Sequence, residues 1–207
     1  MKIVIARALL AAVLASAGSA QATPVHNGFG LSQAHQTLDF ESVPLSFNQP
    51  VNTQFSGVGV SFLNAFANAD MSSFPNISGN RVGDFQAGIG GTGLFTIDFA
   101  NAQQQVAFAI ISAPGGTGTF QAFLNGSLIE SFTGSTTNND PNNFYGIQGI
   151  VLDRLTISVQ SFDNVFIMDN LQTIQAVPEP QGSLLVVVAL AALGVVARRR
   201  KPQLPAA

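Results

Sequence analysis

Apolar and polar residues alternate along most of the chain between residues 36 and 176, as they do in β-strands with one buried face. Residues 155–159 show this period of two, and residues 95–99 repeat it. Residues 106–111 are apolar at every position, which predicts a central strand covered on both faces. Further strands are predicted at 37–41, 58–63, 146–152 and 165–171.

Residues 119–133 predict a β-hairpin. Asn125-Gly126 lies between two alternating runs, and both residues tolerate the positive φ that a two-residue turn requires. Segments rich in Gly, Asn and Pro separate the other runs, and no window between the two ends of the chain has a sustained helical period. About eight to ten short strands of this kind predict an all-β body built as a two-sheet β-sandwich.

The N-terminal end departs from this pattern. Residues 1–22 combine a positively charged start, an apolar stretch over 8–17 and the small-x-small sequence Ala20-Gln21-Ala22. This combination predicts a secretory signal peptide, helical before its removal. A retained N-terminal anchor is the alternative interpretation.

The C-terminal end has three parts in a fixed order: a proline-containing motif, an uncharged run over 183–197 and a basic cluster. As a helix the run would span roughly 23 Å, somewhat less than a hydrocarbon core of about 30 Å. By the positive-inside rule the basic cluster and the tail 202–207 stay in the cytoplasm, so the rest of the chain faces outward. The motif is Val177-Pro178-Glu179-Pro180, and the basic cluster is Arg198-Arg199-Arg200-Lys201.

This tail, residues 177–201, resembles the PEP-CTERM sorting signal of Gram-negative surface proteins. The resemblance implies an exosortase as the processing partner, with cleavage near the PEP motif that removes the C-terminal transmembrane helix. It implies a precursor tethered to the inner membrane with its body in the periplasm, and then a protein of the outer surface or extracellular matrix. A plain C-terminal membrane anchor is the alternative.

Between the two signals, residues 23–35 form a lead and residues 36–176 form the predicted ectodomain. Its order of motifs resembles that of the galactose-binding-like jelly rolls common among PEP-CTERM proteins. The strand over 38–41 comes first, the Asn-Gly hairpin lies in the middle, and the strand over 165–171 comes last. The resemblance implies a jelly-roll-like sandwich and carries no catalytic signature.

Charge narrows the choice of partners. Residues 23–176 contain ten carboxylates and only two basic residues, Arg81 and Arg154, so their formal net charge is −8 with histidine neutral. Nucleic acid and other anionic polymers would be repelled, because phosphate binding needs Lys and Arg. Cations, neutral glycans and proteins remain possible partners. The chain has no Cys, so disulfides do not stabilise it.

Four carboxylates are candidate ligands of a metal. Asp39 and Glu41 are two positions apart on a predicted strand and would share a face. Asp163 and Asp169 flank the last predicted strand, and together the four could supply oxygen atoms to Ca²⁺. The other interpretation is that all four are solvated strand-face or turn residues. No EF-hand pattern is present, so we predict no cofactor, with Ca²⁺ as the alternative.

The sequence contains no Gly-x-Ser-x-Gly, His-Glu-x-x-His, P-loop or dinucleotide-binding motif. His26 and His35 both lie in the lead, and a metal-binding or catalytic role for them would need partners, but the sequence has no other His and no Cys. Because there is no Trp, Tyr145 is the candidate for stacking on a sugar. We therefore predict a non-enzymatic protein with a structural, adhesive or glycan-associated role, with exopolysaccharide as the expected partner. A glycan-active hydrolase or lyase on the same scaffold is the alternative, and self-assembly through edge strands is a third hypothesis.

Overall fold

The structure, a computed structural model, describes residues 21–68, 74–86, 90–91 and 93–177. The predicted signal helix and the predicted transmembrane helix lie outside these residues, as do the PEP motif after Val177 and the basic cluster. The chain divides into two compact units, 1–176 and 177–207, and the first of them holds every strand of the fold among the described residues. Within the described ranges, no helix has both the length and the apolar character needed to cross a membrane.

The described part of the chain is all-β, as predicted, and contains thirteen strands and one short 3₁₀ helix, Ser56–Val58. The strands are β1 (Thr23–Asn27), β2 (Gln36–Leu38), β3 (Pro50–Val51), β4 (Val60–Leu63), β5 (Ala65–Asn68), β6 (Arg81–Gly83), β7 (Phe85–Gln86), β8 (Gly90–Gly91), β9 (Leu94–Ser112), β10 (Thr117–Leu124), β11 (Ser127–Ser135), β12 (Phe144–Gln160) and β13 (Phe166–Gln175).

Eleven of these strands belong to one antiparallel sheet, and β7 and β8 form a separate pair. The main path of the sheet runs β11-β10-β12-β9-β13-β6-β5-β3. Three further strands branch from it, since β1 pairs with β12, β2 with β13 and β4 with β9. The predicted lead, 23–35, therefore contains a strand, β1, that extends the sheet beside β12.

The two longest strands pair with different neighbours along their length. Residues 94–99 of β9 pair with β4 and with the second half of β12, whereas residues 103–112 pair with β13 and with the first half of β12. The register shifts near Gln103. The sequence predicted separate short strands here. The structure has one continuous strand instead, because the polar residues between the apolar runs stay paired in the sheet and the change of register is absorbed by a local irregularity.

Two local predictions are confirmed. Leu124 pairs with Ser127, so the β10–β11 hairpin has a two-residue loop. Asn125 and Gly126 have φ values of 51° and 78°, the positive values that such a turn needs. Residues 106–111 are buried throughout, because alternate side chains of this part of β9 belong to two different apolar clusters, one on each face of the strand.

Ring contacts show that the two parts of the sheet pack against one another in a sandwich-like arrangement. Phe95, in the first half of β9, lies 4.9 Å from Phe166 of β13, measured between ring centroids. Phe108, in the second half of β9, lies 5.7 Å from Phe120 of β10. The buried phenylalanines supply much of the core between these layers.

Candidate functional site

Asp39 and Glu41 do not share a strand face, which corrects the sequence prediction. Strand β2 ends at Leu38, and Phe40 has a φ of 60° that turns its ring into the core. The carboxylates on either side therefore lie in a turn, where Asp39 Oδ1 accepts a hydrogen bond from the backbone N–H of Glu41 at 3.1 Å. Glu41 in turn accepts hydrogen bonds from the backbone N–H of Asn80 at 2.5 Å and from its side-chain Nδ2 at 3.0 Å.

Asp169 lies on β13 and is 1% exposed. One of its oxygens accepts a hydrogen bond from the backbone N–H of Ser78 at 3.0 Å, and the other accepts one from Asn170 at 2.6 Å. Burial raises its pKa from 3.8 to about 6, and the charges of Asp39 and Glu41 add to that rise. The structure thus brings three of the four candidate ligands within electrostatic range of each other.

The fourth candidate, Asp163, lies elsewhere. It is in the loop between β12 and β13, where Oδ1 accepts hydrogen bonds from Ser161 Oγ at 3.0 Å and from the backbone N–H of Val165 at 3.2 Å. Its charge acts on Asp84, not on Asp169. Among the residues that the structure describes, no group of three or more His, Cys, Asp or Glu side chains is arranged to hold a metal ion. The four predicted ligands therefore do not form one cage.

Asp84 is a buried carboxylate that no sequence pattern singled out. It follows β6 and is 0% exposed. Its oxygens accept hydrogen bonds from the backbone N–H of Gly93 at 2.5 Å and of Phe166 at 2.9 Å. Burial raises its pKa from 3.8 to about 6, against the lowering effect of those donors, and the charge of Asp163 contributes to the rise. Asp84 therefore connects three segments of the chain by hydrogen bonds: its own position after β6, the residue before β9 and the start of β13.

Tyr145 cannot stack on a sugar in this structure, so the predicted glycan contact there is corrected. The residue lies on β12 and is 1% exposed. His26 stacks on its ring at 4.5 Å, and Phe120 stacks on it at 5.1 Å, both between ring centroids. Its hydroxyl donates a hydrogen bond to the backbone oxygen of Ser135. His26 belongs to β1, so this strand covers the ring.

One concave site, which we name the phenylalanine cleft, has a volume of about 170 Å³. Phe74 and Phe85, both half-buried, contribute to its walls, and Asp163 contributes to its edge. Asn138 also lines it, and the buried Oδ1 of that residue accepts no hydrogen bond from the described residues. Phe162, which is 97% exposed, is the immediate neighbour of Asp163. The cleft offers aromatic and amide groups to a ligand.

A second site, which we name the amide pocket, lies where the register of β9 shifts and has a volume of about 200 Å³. Its polar lining comes from the neighbouring strands β2 and β13 and from β9 itself. His35, from the predicted lead, is also part of its wall. The side chains that define it are Gln36, Asn101, Gln103, Thr173 and Gln175.

No protein-family model matches this chain, and no curated protein matches it either.

The arrangement suits binding better than acid–base chemistry. A general acid or base must reach the substrate within hydrogen-bonding distance. Asp84 and Asp169, the two carboxylates whose pKa is raised to about 6, are buried, and each has both oxygens occupied by backbone donors. The two concave sites instead present amide, hydroxyl and aromatic groups, which recognise neutral polar ligands.

Proposed function

We propose that this chain is an exported PEP-CTERM protein of the bacterial surface or extracellular matrix, and that its body associates with neutral glycans without catalysing a reaction. The observation that carries the proposal is the contrast, within the described residues, between the buried carboxylates and the groups that line the two concave sites. The carboxylates with raised pKa values are sealed by backbone donors, whereas the phenylalanine cleft and the amide pocket are lined mainly by uncharged groups. A formal charge of −8 over 23–176 further favours a neutral partner over an anionic one.

For the body we propose a two-sheet, jelly-roll-like sandwich in which β9 and β12 pass through both layers. Support comes from the ring contacts of Phe95 with Phe166 and of Phe108 with Phe120, each of which joins one half of the long-strand pair to the opposite layer. The exchange of partner along one side of β9, from β4 to β13, is also what a strand shared by two layers requires.

For the tail we propose processing by an exosortase at the motif Val177-Pro178-Glu179-Pro180. The last strand ends at Gln175, and Val177 is 73% exposed. The motif therefore begins directly after the folded body, with its first residue open to a protease. Before processing, the run that ends at the basic cluster Arg198-Arg199-Arg200-Lys201 holds the precursor in the inner membrane.

Intact mass of the protein recovered from its native host tests this route. We expect a species that begins near residue 23, ends near residues 177–180 and is found outside the membrane. As a matched control, alanine at Pro178, Glu179 and Pro180 should leave the tail attached and the protein in the inner membrane. A wild-type chain recovered only in the inner membrane, with its full tail, would refute the sorting route and leave an anchored periplasmic protein.

The alternative function, a glycan-active hydrolase or lyase, draws on one observation. Asp163 contributes to the phenylalanine cleft, and its charge helps to raise the pKa of the neighbouring Asp84. If this pair catalysed cleavage, the protein would release reducing or unsaturated ends from the host exopolysaccharide, and Asp163→Asn would abolish the release. We expect no release from either the wild type or the variant, because Asp84 is sealed from any substrate.

A further inference from the structure

Gln103 is the unusual residue of the amide pocket. It sits at the register shift of β9, opposite Leu152 on one side and Gln175 on the other. It is 7% exposed, and its Nε2 donates a hydrogen bond to the backbone oxygen of Asn101 at 2.7 Å. Its Oε1 accepts no hydrogen bond from the described residues. The irregularity in β9 thus leaves a buried amide oxygen at the wall of a pocket.

Since the described residues supply no donor to this buried acceptor, a donor from solvent or from a ligand is favoured. Leaving such a group unsatisfied costs about 1–3 kcal/mol, and the great majority of buried polar atoms in proteins have a partner. The donor must also fit the rest of the lining. The polar part of that lining is His35, Gln36, Asn101, Thr173 and Gln175, and the apolar part is Val58, Val60 and Phe99. Each of these polar groups can both donate and accept hydrogen bonds, and a hydroxyl group matches both roles.

Charge and size restrict the ligand further. No Asp, Glu, Lys or Arg is among the described residues that line the amide pocket, so these residues offer no permanent charge to an anion or a metal cation. The amide pocket has a volume of about 200 Å³. That is less than the roughly 300–1,000 Å³ of pockets that hold drug-sized ligands. The space therefore suits one small polar ring.

We propose that the amide pocket binds a single neutral sugar residue, and that Gln103 Oε1 accepts a hydrogen bond from one of its hydroxyl groups. The proposal rests on the proposed glycan association and assigns it to a specific site. Gln175, at the exposed end of β13, forms part of the rim. Gln36 helps to hold the wall in place, because its Nε2 donates to the backbone oxygen of Val58 at 3.4 Å.

Binding of methyl glycosides tests the proposal. The probes are the methyl glycosides of glucose, galactose, mannose and N-acetylglucosamine, measured by saturation-transfer NMR and calorimetry. The protein is the full-length chain in a polyoxyethylene detergent, since detergents with sugar headgroups would compete. We expect at least one probe to bind with a Kd in the millimolar range, about −4 kcal/mol, as a single small ring in a shallow site would.

Three variants assign the binding to the pocket. Gln103→Leu keeps the side-chain volume and removes the acceptor, so we expect about a tenfold or greater loss of affinity. Gln175→Ala changes an exposed rim residue and should weaken binding several-fold without affecting the fold. Gln160→Ala, at the exposed end of β12 outside the pocket, should bind as the wild type does. Thermal unfolding shows whether each variant is folded. If Gln103→Leu does not fold, the affinity of Gln175→Ala for the probe decides whether the sugar binds in the amide pocket.

The outcomes separate this proposal from the proposed function. If the wild type binds a probe and both pocket variants bind it equally well, the amide pocket is refuted while glycan association stands at another site, with the phenylalanine cleft next to be tested. If the wild type binds none of the probes but does bind extracted neutral exopolysaccharide, the single-residue pocket is again refuted and glycan association stands. If it binds neither, glycan association itself is refuted, and with it the sugar site at Gln103.

Discussion

The buried carboxylates Asp84 and Asp169 should make the folded protein more stable as the pH falls from 7.5 to 4.5. Burial raises the pKa of each from 3.8 to about 6, whereas in the unfolded chain an aspartate titrates near 3.9. Between about pH 4 and pH 6 the folded state therefore holds protons that the unfolded chain has released. Stability falls with rising pH wherever the folded state binds more protons, so the loss occurs across that window.

The size of the effect follows from the shifts. Each pKa rises by about two units, and one unit corresponds to 1.36 kcal/mol, so each carboxylate contributes up to about 3 kcal/mol and the two together up to about 6 kcal/mol. This is a large part of the roughly 5–15 kcal/mol that stabilises an ordinary domain. Repulsion within a body of formal charge −8 also destabilises the folded state above pH 6. Variants are therefore needed to assign the pH dependence of stability to the two buried carboxylates.

Urea unfolding at constant ionic strength, followed by circular dichroism, measures the effect. The midpoint should move to higher urea as the pH is lowered towards 4.5. Asp84→Asn and Asp169→Asn should each remove about half of this pH dependence. Both will also lower stability at all pH values, because the new amide group faces a backbone N–H donor. Asp153→Asn is the matched control. Oδ2 of Asp153 accepts a hydrogen bond from the backbone N–H of Asn125, and the amide oxygen of the variant can still accept it, so this variant should keep the full pH dependence.

Two results would refute the reasoning. A stability that stays constant or rises between pH 4.5 and pH 7.5 would mean that neither carboxylate is disfavoured in its charged form. A pH dependence that persists unchanged in both buried-site variants would assign the effect to general repulsion among the surface carboxylates.

Two further substitutions test the packing and the surface. Gly146→Ala should destabilise the protein by about 3 kcal/mol in thermal unfolding, because the new Cβ would overlap the backbone oxygen of Val106. Gly57→Ala, with open space around it, should change stability by less than about 0.5 kcal/mol, and equal effects would contradict the argument. Arg154→Ala removes a half-exposed ion pair with Asp98 at 2.5 Å, so we expect a loss below about 1 kcal/mol that shrinks in high salt. A salt-independent loss of about 2 kcal/mol or more would contradict the expectation for an exposed pair.

Features set by neighbouring residues were predictable from the sequence. Alternation over 95–99 and 155–159 located two strands, and Asn125-Gly126 located a hairpin, because these patterns act over a few residues. The extent of β9 was not predictable in the same way. Its polar stretch resembles a loop in the sequence, and only pairing with β12 and β13 on either side keeps it in the sheet.

The positions and the burial of the site residues depend on long-range contacts, which the local pattern of apolar and polar residues does not contain. Phe40 was expected on a strand, but its positive φ places Asp39 and Glu41 in a turn. Asp169 is buried because the distant residue Ser78 supplies a backbone donor to it. Gln103 looks like any solvent-exposed glutamine until the register shift turns it inward. Isolated polar residues in strands carried no signal that could have separated these cases beforehand.

The hypothesis of self-assembly through edge strands is best judged at β11, which ends the main path of the sheet. Leu128 and Ile129 on this strand are exposed, which would favour pairing with another chain. Glu130 follows them, and the β10–β11 register shifts at this point, so a charge and a bulge interrupt the edge together. Both features are known to protect edge strands from association. We therefore expect the wild type to remain monomeric as its concentration rises.

Glu130→Val should remove this protection and cause concentration-dependent growth in light scattering at neutral pH. Ser131→Val is the matched control, because it adds the same side chain to the same edge while keeping the charge. If both variants grow equally, added hydrophobicity explains the association and Glu130 has no special part in it. Growth of the wild type at micromolar concentrations would instead favour assembly over glycan binding as the main role of the body. The charge of Glu130 beside the exposed Leu128 and Ile129 is the reason that we expect the wild type not to grow.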